Sequence, residues 1–187
     1  MSSASTARSA RPGTAAPGGS ILVVGLGNPV RGDDGVGWRV LDILDDRLEA
    51  SAPVERPTDV EFDRLAVGGL ALMERLVGYR RAILVDALQE GRVPGTVTCR
   101  PLHDLAGGPA AHLDSSHDAS LEAALAAGEA LGAALPSDIT VVGVEVREVD
   151  TFSDHLSPAV EAAVPAAADA VAALLLPPGT GAATARP

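Results

Sequence analysis

Two adjacent carboxylates, Asp33 and Asp34, close the stretch ILVVGLGNPVRGDDGVG, where an apolar run from Ile21 breaks into glycines. A third, Asp86, ends the apolar run Ala82-Ile83-Leu84-Val85. The chain has four histidines, His103, His112, His117 and His155, all in polar or loop-like surroundings. Two carboxylates and an imidazole form an oxygen and nitrogen donor set that accepts nickel or zinc and leaves coordination positions open. Each acid also has a structural reading, since aspartate caps helices and closes turns. Asp33 is read here as the N-cap of the helix that follows, which leaves Asp34 for the site. Residue type does not choose among the histidines, although His103 and His112 share a glycine-rich polar loop that suits solvated side chains. No serine or cysteine nucleophile stands out. Ser115 and Ser116 adjoin His117 without a nucleophile-elbow motif, and Cys99, the one cysteine, falls inside an apolar strand pattern that would keep its thiol inert. Hydrolysis at such a site would use activated water, with a metal or a carboxylate as the activating group.

These groups need a scaffold that brings distant strand ends together. Ile21 to Val24 is apolar without alternation, as in a strand buried on both faces. Val36, Val40, Leu44 and Leu48 then recur every four residues, which predicts an amphipathic helix. Strands are expected at 60–65, 82–85, 96–100 and 139–146. Further helices are expected around Leu72 to Val77, at 119–131 and at 158–176. Pro158 suits a first helical turn, Pro165 should kink the last helix or locally break its hydrogen bonding, and Asp118, next to His117 and able to orient its imidazole, is read instead as a cap for the helix at 119. Alternating strands and helices imply a helix-covered, mostly parallel sheet. If the first and third strands run parallel, Asp34 and Asp86 leave the sheet at the same edge, where open α/β sheets bind ligands.

Composition bounds the rest. The chain has 187 residues, enough for one domain with a real core. Residues 1–18 and 177–187 are rich in Ala, Gly, Pro, Ser and Thr and are expected to be a disordered leader and tail around a domain at 19–176. No apolar run is expected to span a membrane. A single cysteine gives no disulfide framework, so cytoplasm is the default compartment. A net charge of −11 and a pI near 4.6 disfavour nucleic acid, whose backbone is bound through lysine and arginine.

The motifs also carry a resemblance. Gly25-Leu26-Gly27-Asn28, then Gly32-Asp33-Asp34-Gly35-Val36-Gly37, resembles the N-terminal signature of the hydrogenase maturation endopeptidases. The strand ending in Asp86 follows in that family's order, with Pro94-Gly95-Thr96, Ser115-Ser116-His117, Val141 to Glu145 and Leu156-Ser157-Pro158. Together they span residues 21 to 176. The resemblance implies a three-layer α/β/α sandwich around a twisted, mostly parallel sheet in a single domain. It implies an endopeptidase that trims the C-terminal extension of a nickel-iron hydrogenase large-subunit precursor after nickel insertion. It further implies Asp34, Asp86 and His117 as catalytic and metal-binding residues, with nickel arriving with the substrate; no organic cofactor and a monomer are expected.

One departure concerns the second strand, after which the family often carries Asp-Gly-Gly-Thr, in a loop linked to substrate selection. This chain reads Arg64-Leu65-Ala66-Val67-Gly68-Gly69 there. Asp63 lies one residue earlier, and a shift by one in a strand turns a side chain to the other face. Two other readings remain in play. A metal-binding maturation chaperone would use the same three residues without cleaving anything. Peptidyl-tRNA hydrolases share the opening Gly25 to Pro29, but they need a basic face and a histidine-asparagine pair where this chain has Asp33, Asp34 and Gly35.

Overall fold

The computed structural model describes residues 20–50, 59–105, 120–149 and 152–176. Five strands form one sheet in the order β2-β1-β3-β5-β4: β1 Ile21–Leu26, β2 Val60–Leu65, β3 Arg81–Leu88, β4 Val97–Pro101 and β5 Asp138–Glu145. The first three and β5 are parallel, while β4 pairs antiparallel with β5 at one edge. Four helices cover it: α1 Val36–Ala50, α2 Gly69–Leu76, α3 Leu121–Ala130 and α4 Pro158–Leu175.

The apolar residues sort by strand parity, as a pleated sheet requires. Ile21, Val23, Ile83, Val85, Val142 and Val144 pack under α1 and α4. Leu22, Val24, Leu26, Leu84, Leu88 and Val141 pack under α2 and α3. Both faces of the central strands are therefore covered, giving the expected three-layer α/β/α sandwich. Each fully buried valine or leucine contributes about 1.5–3 kcal/mol by leaving water. Gly25 and Gly37 let strand and helix approach. A Cβ at Gly37 would meet the Leu26 and Val85 carbonyl oxygens at 2.4 and 2.5 Å, so α1 starts hard against β1 and β3.

Several expectations are corrected. Asp86 does not end its strand, because pairing with β5 carries β3 on to Leu88, opposite Glu145. α4 continues through Pro165 as one helix, so the proline does not end it, and the missing N–H removes one intrahelical donor, the local loss expected there. Ser120, not Asp118, is the N-cap of α3; its Oγ accepts from Ala123 N at 3.3 Å. Cys99 is exposed, because β4 is the edge strand of the sheet. Finally, α4 has 18 residues with a mean hydropathy of 1.5, long and apolar enough to cross a membrane. Here Val160, Val164, Ala167, Ala168 and Val171 are buried in the core instead.

Candidate active site

The direction in which strands are added to the sheet reverses between β1 and β3. From β1 the chain moves outward to β2 by way of α1 on one face, then returns past β1 to β3 by way of α2 on the other. Such a switch point opens a crevice at the carboxyl ends of the two strands. Asp34 follows β1 in a short 3-10 turn, Gly32–Gly35, that touches β3. Asp86 lies near the carboxyl end of β3. Both are enclosed, at 1% and 0% exposure.

The backbone holds each carboxylate. Asn28 N donates to Asp34 Oδ2 at 2.9 Å, while the Asn28 side chain accepts from Val30 N at 3.1 Å and shapes the turn. Ala87 N donates to Asp86 Oδ1 at 2.9 Å. Gly27 sits at φ +111°, and a Cβ there would fall 1.8 Å from the Asp34 carbonyl oxygen. The glycine therefore serves both the left-handed turn and the close approach of the acid-bearing segment. By parity Asp86 faces the α2 and α3 layer, with Leu84 and Leu88.

Asp33 is not the cap of α1. It lies inside the 3-10 turn, and its carboxylate accepts from Ser157 N at 2.6 Å and from Ser157 Oγ at 2.8 Å. A local motif predicts a local cap, but the acid's partner is 124 residues away.

His117 lies outside the described residues, as do His112, Ser115, Ser116 and Asp118. Leu105 and Leu121, which bracket that stretch, are both buried on the face toward which Asp86 points. His103 follows the antiparallel strand β4 and so sits at the opposite edge of the sheet from the acids. His155 is exposed, 3.3 Å from Asp154. Among the described residues, no group of three or more His, Cys, Asp and Glu side chains is placed to hold an ion.

The second-strand departure has a structural answer. Asp63 turns toward α2 and accepts from Arg75 Nε at 2.6 Å, whereas Arg64 turns toward α1 and donates to Asp42 and Asp45 at 2.8 and 2.6 Å. Asp63 is thus engaged in holding α2. The Arg75 guanidinium is shifted upward: its bonds to Tyr79 and Asp63 outweigh burial, which is the largest single effect and acts the other way.

Residue patterns did not reveal Glu145. It is buried at the end of β5, where Oε1 accepts from Glu90 N and Arg92 N at 2.9 and 3.0 Å. It pins the loop between β3 and β4 at the same sheet edge as Asp86. Beside that loop runs a cleft of about 720 Å³, lined by Gly32, Asp33, Pro94, Arg147, His155 and Ser157 among others.

Residues 65–174, well over half of the chain, match the family model described as "Hydrogenase maturation protease". The chain belongs to that family. Asp86, His117 and Ser157 fall within the matched stretch and Asp34 before it. The Rhizobium leguminosarum bv. viciae hydrogenase expression/formation protein HupD is 27% identical over 171 residues, 91% of this chain and 81% of that protein. The Azotobacter vinelandii protein HoxM is 26% identical over 143 residues, 76% of this chain and 66% of that protein. The hydrogenase maturating endopeptidase HybD from E. coli superposes with a TM-score of 0.66 at 27% identity, covering 83% of this chain and 91% of that one. The [NiFe] hydrogenase maturation protease HybD from Thermococcus kodakarensis gives 0.58 at 25% identity, over 83% and 98%. Membership of the hydrogenase maturation proteases displaces the peptidyl-tRNA hydrolase reading and makes this chain a peptidase by family.

Proposed function

We propose that this protein is an endopeptidase that removes the C-terminal extension of a nickel-iron hydrogenase large-subunit precursor once nickel is in place, reading that nickel through Asp34, Asp86 and His117. The observation that carries the reading is the pair of enclosed carboxylates, Asp34 and Asp86, at the switch point of neighbouring parallel strands. Carboxylate oxygens are hard donors of the kind that divalent cations take, and backbone amides already orient one oxygen of each acid. Nickel belongs to the substrate in this reading, and the carboxylates hold the scissile region by holding its metal. Water is the nucleophile. Cys99 is a poor alternative, since desolvation outweighs the field of Arg81 and pushes its thiol upward. Its register partner Val142 also places it on the sheet face opposite Asp86.

A protein substrate suits the surface. Of the eight large apolar residues exposed among the described ones, Val30, Val67, Leu70, Val93 and Phe152 stand in or beside loops at the carboxyl edge of the sheet, while Val77, Leu131 and Leu176 lie elsewhere. Apolar rims of this kind mark protein-binding surfaces. The cytoplasm and a monomeric state complete the reading.

The test is to incubate the protein with a nickel-loaded large-subunit precursor and with its nickel-free form, and to read product mass. Cleavage of the loaded form alone is expected. Efficient processing of the nickel-free form would refute metal reading, and nickel-dependent association without any mass change would assign a maturation chaperone instead.

A further inference from the structure

Ser157 stands at the N-cap of α4, where a serine hydroxyl normally accepts from an amide of its own helix. It does not do so here. Its Oγ donates to Asp33 Oδ2 at 2.8 Å and its backbone N donates to Asp33 Oδ1 at 2.6 Å. Asp33 thus does, from 124 residues away, what a glutamate three positions along would do in a capping box: it accepts the N–H of the cap residue. The carboxylate also lies at the positive end of an 18-residue helix, which favours an anion. Neighbouring bonds join the same two segments. Gly32 N donates to Ser153 O at 2.8 Å, Ser153 N to Val30 O at 3.1 Å, and Arg39 to Asp154 O at 3.0 Å.

The consequence falls on Asp34. Asp33 and Asp34 are consecutive acids on one turn, and an unrestrained Asp33 would compete for the same cation and repel its neighbour. Tying both oxygens of Asp33 to Ser157 removes it from that competition and fixes the turn from one side, as Asn28 N fixes Asp34 from the other. We propose that Ser157 is a positioning residue of the metal-reading site, acting through Asp33 to set the orientation of the Asp34 carboxylate. The inference rests on the reading of Asp34 as a nickel-contacting group.

Nickel(II) titration of the isolated full chain by calorimetry, alongside precursor cleavage, tests it. Ser157→Ala and Asp33→Ala should each weaken nickel binding about 10-fold, the scale of supporting residues around a metal. The double variant should be no worse than either, because the two residues act as one unit. Ser157→Thr keeps both donors and should bind like the wild type. In cleavage, kcat/KM for the nickel-loaded precursor should fall by a similar factor. If Ser157→Ala fails to fold, Ser157→Gly, tolerated at an N-cap, reads the same quantity. A lowered Tm with unchanged nickel affinity in the Ser157 variants, while Asp34→Ala abolishes binding, would overturn the positioning role alone. Wild-type nickel binding by Asp34→Ala would overturn the metal-reading site and the positioning role with it.

Discussion

At the residue scale, the proposed metal reading predicts that charge rather than shape decides activity. Asp86→Asn preserves the volume of a fully buried side chain and its acceptor for Ala87 N, but removes the negative charge that the proposed reading assigns to holding a cation. Cleavage should fall at least about 100-fold, beyond the usual loss for a supporting residue, with an unchanged circular dichroism spectrum. Asp34→Ala should match it if both acids contact one ion. Serine- and cysteine-directed inhibitors should leave turnover unaffected, since no acyl-enzyme forms on a water route.

At the scale of elements, two junctions hold the site edge. The first is the contact of α1 with β1 and β3 at Gly37, where backbone carbonyls leave no room for a Cβ. Gly37→Ala should cost about 1–3 kcal/mol as an overpacked position, measured by urea unfolding, and should displace the turn bearing Asp34. The second is the loop between β3 and β4. There the hydrogen bond from Arg100 chiefly, with help from Arg92 at 3.0 Å, holds the Glu90 carboxyl below its ordinary value of 4.5 against the opposing effect of burial. A depressed carboxyl stabilises the fold above the unfolded-state pKa and loses that contribution as pH falls through the folded value. Arg100→Met should therefore be most destabilising near neutral pH and converge on the wild type as the medium becomes acidic below about pH 4. Urea melts across that range check the sign, and a destabilisation that grows toward acid would contradict it.

At the scale of the molecule, the sandwich between β1 and α4 closes on itself. Both sheet faces are covered, and α4, apolar enough by composition for a membrane, has its apolar stripe in the core. Residues 1–18 and 178–187 add little apolar surface by composition. Deleting both should leave Tm within about 2 °C, less than a loss of 1 kcal/mol would produce in a domain of this size. A larger drop would show that the ends dock on the domain.

Local pattern was enough for much of this protein. Unbroken apolar runs marked β1 and β3, four-residue spacing marked α1, and the alternation of strand and helix implied the parallel sheet, because each follows from periodicity within a few residues. Asp34 and Asp86 were legible as edge groups for the same reason: each ends or follows such a run. Other features depended on which segments meet. The ladder with β5 placed Asp86 inside its strand, and the edge position of β4 exposed Cys99. Glu145 became a buried anchor for a loop more than 50 residues earlier. Asp33 changed from a presumed local cap to the partner of Ser157. A carboxylate takes whichever donors the fold brings within about 3 Å, and proximity across 124 residues is a product of sheet order and helix packing that no local periodicity encodes.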